Sequence, residues 1–133
     1  MSMTTTLITA VGRRKTAIAA VRMSEADKNS LEVNGKSPKD FFKTDERART
    51  ALEAFGVAEA AKNYRVTAHV EGGGIAAQAE AVRHAVARAL TKSEPATRAK
   101  LKLAGLMTRD PRAKERKKPG LVKARKRKQW SKR

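Results

Sequence analysis

Charge is divided unevenly along this chain, and the division decides which part of it can build a core. Residues 98–133 carry 16 Lys and Arg against 2 Asp and Glu, a net of +14. Residues 1–97 carry 15 against 11, a net of only +4. From Met107 onward the only large apolar side chains are Met107, Leu121, Val122 and Trp130. So little burial does not offset an ordering cost of about 1–2 kcal/mol per residue for the backbone alone. Pro111, Pro119 and Gly120 also interrupt any helical run. A globular domain is therefore expected over residues 1–105 and an extended tail, disordered when free, over 106–133. Fully stretched, Gly105 to Arg133 would reach on the order of 90 Å.

A formal charge of +18 on 133 residues implies a polyanionic partner, because a compact body holding it alone would repel itself. Nucleic acid comes first and an anionic membrane surface second. The second lacks the basic amphipathic helix with aromatic anchors that surface binding requires. The chain has no Cys, which excludes disulfides, thiolate metal sites and a cysteine nucleophile, and fits a reducing compartment. No apolar stretch approaches the roughly 20 residues that cross a bilayer. Residues Met1 to Ala10 have the pattern of neither a secretory signal nor an Arg-rich transit peptide. A cytoplasmic location is expected.

In the front part, Leu7 to Gly12 and Thr16 to Met23 read as strands, with Arg13, Arg14 and Lys15 as the connection. Leu31 and Val33 make a third strand, ended by the turn pair Asn34-Gly35. Ser37-Pro38 reads as an N-cap with Pro at the first helical position. Asp45 reads as the cap of a second helix with Ala48, Ala51, Leu52 and Phe55 inward and Gly56 at its end. Tyr64 to Val70 alternates as a half-buried strand. After Gly72-Gly73-Gly74, a helix over Ile75 to Leu90 has Ile75, Ala79, Val82, Val86, Ala89 and Leu90 on one stripe. Arg83, His84, Arg88 and Lys92 lie on its opposite side. A last helix from about Pro95 to Ala104 buries Leu101 and stops at Gly105. These elements predict an α+β sandwich of roughly 100 residues.

Each motif that suggests chemistry has a plainer reading beside it. Gly35-Lys36-Ser37 ends like a phosphate-binding P-loop, but the Gly required five residues earlier is Ser30, so a simple turn is the better reading. Gly72-Gly73-Gly74 leads into a helix N-terminus, where unpaired N–H groups favour a phosphate; it is also a turn that needs positive φ. His84 has no serine, carboxylate pair or second His arranged with it as a triad or metal site, which argues against an enzyme with a small-molecule substrate. Arg13, Arg14 and Lys15 read as a phosphate contact rather than as a solvated loop. In the tail, Arg109, Arg112, Lys114, Arg116, Lys117 and Lys118 come first, then Lys123, Arg125, Lys126, Arg127 and Lys128. Lacking acidic partners, this run predicts backbone binding that weakens steeply with salt. Trp130 among these cations is a candidate for stacking on a base.

At Val11-Gly12-Arg13-Arg14-Lys15-Thr16-Ala17 and at Gly72-Gly73-Gly74-Ile75-Ala76-Ala77-Gln78, continuing to Ala81-Val82-Arg83-His84, the chain resembles the bacterial-type family of small-ribosomal-subunit protein nine. Thr108-Arg109-Asp110, Glu115-Arg116-Lys117-Lys118-Pro119-Gly120 and the closing Gln129-Trp130-Ser131-Lys132-Arg133 are similar to that family's tail. The resemblance implies an α+β fold, a mixed sheet packed by helices, like the second domain of another small-subunit protein. It implies a globular part on ribosomal RNA of the subunit head, beside neighbouring head proteins. Arg13, Arg14, Lys15, Gly72, Gly73, Gly74, Gln78, Arg83, His84, Arg109, Arg112, Arg116, Lys117, Lys118, Lys123, Arg125, Lys126 and Arg127 would then face ribosomal RNA. Lys128, Trp130, Ser131, Lys132 and Arg133 would approach the anticodon stem-loop of tRNA in the peptidyl site. No cofactor, metal or catalysis is implied. The chain departs from the family at Ala77 and Ala85, where Gly is frequent, at Trp130 for Phe, and at Lys128 for Pro. Composition alone leaves open a nucleoid-type DNA-binding protein with a basic tail; the ordered blocks favour the ribosome.

Overall fold

A computed structural model describes residues 7–59, 62–108 and 119. Expectations for the tail beyond Thr108 therefore lie outside the described residues. Four strands form one mixed sheet: β1 (Ile8–Arg14), β2 (Ala17–Ala26), β3 (Ser30–Val33) and β4 (Asn63–Glu71). Their order is β1-β2-β4-β3, antiparallel except for the parallel pair of β3 and β4. Helices α1 (Pro38–Phe42), α2 (Asp45–Ala58), α3 (Ile75–Ser93) and α4 (Arg98–Leu103) cover one face, a 3-10 turn at Pro95–Thr97 joining the last two. The α+β reading holds.

Strict alternation makes the sheet one-sided. Ala17, Ala19, Val21 and Met23 of β2, and Tyr64, Val66, Ala68 and Val70 of β4, point to the helices and are buried. Their neighbours Ile18, Ala20, Arg22, Arg65, Thr67 and His69 point outward. At its rim, the Tyr64 hydroxyl lies 2.7 Å from Ser93 Oγ and donates to Glu94 Oε2 at 2.8 Å, tying the start of β4 to the end of α3. Burial raises the pKa of this phenol above its ordinary value.

Helix α3 is buried on more sides than a single stripe predicts. It lies over β1 and β2 and is flanked by α2, and Ala77, Ala79, Ala81, Ala85, Ala87 and Ala89 are all buried along it. Small side chains on several sides let neighbouring backbones approach closely. Ile75, placed on the stripe by periodicity, is instead 37% exposed because it opens the first turn beyond the sheet's cover. Along β1, Lys92 Nζ donates to Thr9 O at 2.7 Å, Arg88 Nη1 donates to Val11 O at 2.8 Å, and Arg14 Nε pairs with Glu80 Oε2. Strand and helix thus run antiparallel. The five steps from Thr9 to Arg14 cover about 17 Å at strand rise, and the twelve from Glu80 to Lys92 cover about 18 Å at helical rise. That match keeps the two in register along their length.

Several boundaries differ from those expected. Arg13 and Arg14 belong to β1 rather than to a loop, and the hairpin turns on Lys15-Thr16 alone, with Lys15 at φ 54°. Thr44, one residue before Asp45, caps α2: its Oγ1 accepts from Arg47 N at 3.4 Å. That helix continues past Gly56 to Ala58, and Leu52 faces outward, leaving Ala48, Ala51, Ala54 and Ala58 as its buried residues. Ser37 caps α1 as expected, its Oγ accepting from Asp40 N at 3.3 Å. Asn34 and Gly35 both take positive φ, and the Asn34 side chain bonds Val70 N at 2.9 Å, joining the turn to β4 rather than to a phosphate.

After α4 the chain reverses through a Schellman motif. Gly105 takes φ +81°, Gly105 N donates to Lys102 O and Leu106 N donates to Leu101 O at 3.0 Å, while Leu101 and Leu106 bury their side chains. Met107 packs on the core, its Sδ accepting from Thr91 Oγ1 at 3.2 Å.

Candidate nucleic-acid interface

The cations singled out in the front part of the chain come from two distant blocks, and the register of β1 with α3 brings them together. Arg13 and Arg14 end β1; Arg83 and His84 sit in the third turn of α3. Together with Glu80, Gly105, Leu106 and Thr108 they line one small cleft. Glu80, Arg83 and His84 share a helix face because they are three and four residues apart. The Schellman reversal lays Gly105, Leu106 and Thr108 along the fourth side, so the residue directly before Arg109 in the sequence lines the cleft.

Two of these arginines also hold the fold. Arg14 has a side chain only 12% exposed, and its Nε pairs with Glu80, 66 residues away. Arg83 Nη1 donates to Glu53 Oε2 at 2.8 Å, linking α3 to α2. Each carboxylate positions a guanidinium that carries five N–H donors in a rigid fork. Arg13 is exposed at the strand end. No sequence signal pointed to Glu53 or Glu80 as partners, since the pairs span 30 and 66 residues.

The glycine run stands beside the hairpin turn. Gly72 and Gly73 adopt φ +73° and +65°, as the turn reading required, while Gly74 is an extended N-cap at φ −91°. A Cβ on Gly72 would come 2.6 Å from Thr16 O, and one on Gly73 would come 2.9 Å from Ala17 N. Both glycines are therefore needed for contact with the β1–β2 turn as well as for their φ. Gln78 reaches back so that Nε2 donates to Gly72 O at 3.0 Å. Its amide holds the turn closed, a role not foreseen. Gly74 offers no side-chain cap, which leaves the first-turn N–H groups of α3 directed at the exposed glycine run.

This end of the molecule thus gathers Arg13, Arg14, Lys15, Arg83, His84 and the α3 N-terminus around the cleft and the glycine turn. Such an arrangement offers guanidinium, ammonium and backbone N–H donors on one side of the fold, the donor set that complements phosphate oxygens. Among the described residues no three His, Asp or Glu side chains gather as a metal site, and no helix is long and apolar enough to cross a membrane. Lys128, Trp130, Ser131, Lys132, Arg133 and the cations from Arg109 to Arg127 lie outside the described residues. A family model described as ribosomal protein S9/S16 matches residues 12–133.

Proposed function

Because the chain belongs to the ribosomal protein S9/S16 family, and so serves the small ribosomal subunit, we propose that its folded domain binds ribosomal RNA of the subunit head and that its tail reaches peptidyl-site tRNA. What carries the reading is the convergence of Arg13, Arg14, Arg83 and His84 on the cleft at whose edge the tail begins. Two phosphate-binding parts that start from one place can follow one RNA surface. Phosphate contacts would position the protein, and the folded shape of the RNA would supply most of the specificity. Neighbouring head proteins are the further partners, and the cytoplasmic ribosome is the expected location. The role is structural, with no reaction catalysed.

The tRNA part rests on the closing residues Ser131, Lys132 and Arg133. Deleting them removes two cations of the tail's thirteen and none of the described fold. The expected result is an unchanged melting temperature and unchanged incorporation into subunits, with peptidyl-site tRNA dissociating several-fold faster, as fits the loss of two charge-assisted contacts. Filter binding of tRNA to reconstituted subunits measures this, and an unaltered dissociation rate would remove the tRNA assignment.

A further inference from the structure

The side of the sheet that faces away from the helices takes no part in the cleft except through Arg13. On it Val11, Ile18 and Ala20 are exposed among Arg13, Arg22 and Arg65. The register places Arg22 directly opposite Thr67, and Ala20 opposite His69. Ala20 is small, so these four residues surround a hollow in the face. Arg65 lies opposite Ser24, which makes it the diagonal neighbour of Arg22 at about 7–8 Å. Two carboxylates share this side: Glu71, whose Oε1 lies 2.8 Å from His69 Nε2, and Glu32 of β3, which stands opposite Thr67. The guanidinium groups of Arg13, Arg22 and Arg65 make no hydrogen bond or ion pair among the described residues.

We propose that this open face is a second ribosomal-RNA contact, in which Arg22, Arg65 and the Thr67 hydroxyl hold neighbouring phosphates of one backbone strand. The inference rests on the reading that the domain binds RNA, and it adds a surface and a mode. Two guanidinium groups on adjacent strands, without partners among the described residues and on a chain of net charge +18, complement the phosphates of one backbone strand. The mode is backbone contact rather than base stacking, because the only aromatic ring on the sheet other than His69 is Tyr64, which points into the core. Arg13 joins the two surfaces: it lines the cleft and also occupies the outward row of Ile18 and Glu71. RNA seated at the cleft can therefore continue around the β1 edge onto the sheet.

The test uses the full chain and a transcript of the small-subunit head-domain ribosomal RNA, titrated across salt. Arg22→Gln with Arg65→Gln is compared with Lys28→Gln with Lys36→Gln, which removes equal charge from exposed positions off this face. At 0.7–0.9 per phosphate contact, the arginine pair is expected to flatten the slope of log affinity against log salt by about 1.4–1.8 and to weaken binding roughly tenfold. The lysine pair is expected to change binding less than about twofold, within the range of general screening. Arginine variants that bind like the wild type, or no worse than the lysine variants, overturn the proposal while leaving RNA binding by the domain intact. RNA binding retained together with lost association with another head protein would assign the face to protein and also overturn it. A wild-type chain that ignores the transcript would overturn this proposal and the RNA reading together.

Discussion

Replacing Gly12 by Ala is expected to destabilise the domain by about 3 kcal/mol or more, the upper range of overpacking. A Cβ there would stand 2.1 Å from Ala81 O and 2.4 Å from Ala85 N, both backbone atoms of α3. No rotamer change relieves such a clash; strand and helix must separate. Separation would break the antiparallel match that places Arg14 beside Glu80 and Arg88 beside Val11. Thermal unfolding should show a fall of roughly 12–24 °C, at 4–8 °C per kcal/mol for a domain of this size. Gly56→Ala is the contrast, since Gly56 lies inside α2 with open space around it. It should raise stability by about 0.5–1 kcal/mol through the helix preference of Ala. An unchanged melting temperature for Gly12→Ala would mean that α3 does not lie against β1 as described.

Cutting the chain after Thr108 is expected to have the largest effect on RNA affinity. The removed segment holds thirteen Lys and Arg against two acidic residues. A protein making six to ten phosphate contacts loses about 10³–10⁵ in affinity between 50 and 200 mM salt. The full chain should show a fall at the upper end of that range, and the truncated domain, left with the roughly four to six contacts of its cleft and sheet face, a fall of about 10²–10³. Leu106 and Met107 remain packed, so the melting temperature should hold within about 2 °C, the effect of a change well under 1 kcal/mol. Equal salt slopes for the two proteins would show that the tail does not touch RNA.

How much of this was legible in the sequence follows from the range of the forces involved. Alternation along Tyr64 to Val70 and the apolar spacing within Ile75 to Leu90 reflect local geometry, so β4 and α3 were readable. Ser37, Asn34 and Gly105 were readable too, because a cap or a positive φ is set by near neighbours. Arg13 and Arg14 were assigned to a loop since their polarity hid the strand. Pairing with Ile18 and Ala17 extends β1, and pairing depends on the partner strand. Leu52 was placed inward by periodicity, whereas close packing of α2 on α3 selected the smaller alanines. The parallel placement of β3 beside β4 and the four-sided cleft depend on contacts over dozens of residues. The cations of the site were therefore nameable in advance, but their meeting place and their carboxylate partners were not.

The two lateral bonds from α3 to β1 bear on how such a chain survives before it meets its partner. A sheet edge with unused carbonyls is a template onto which another polypeptide can add a strand, and so a start for aggregation. On β1, Arg88 and Lys92 already occupy the carbonyls of Val11 and Thr9. An incoming strand would have to displace both cations and leave them with their charge uncompensated. The opposite edge, β3, is only four residues long and closes on itself through the Val33–Lys36 bridge. A newly made copy is thus protected from others of its kind at both sides of its sheet, by charge along one and by shortness at the other.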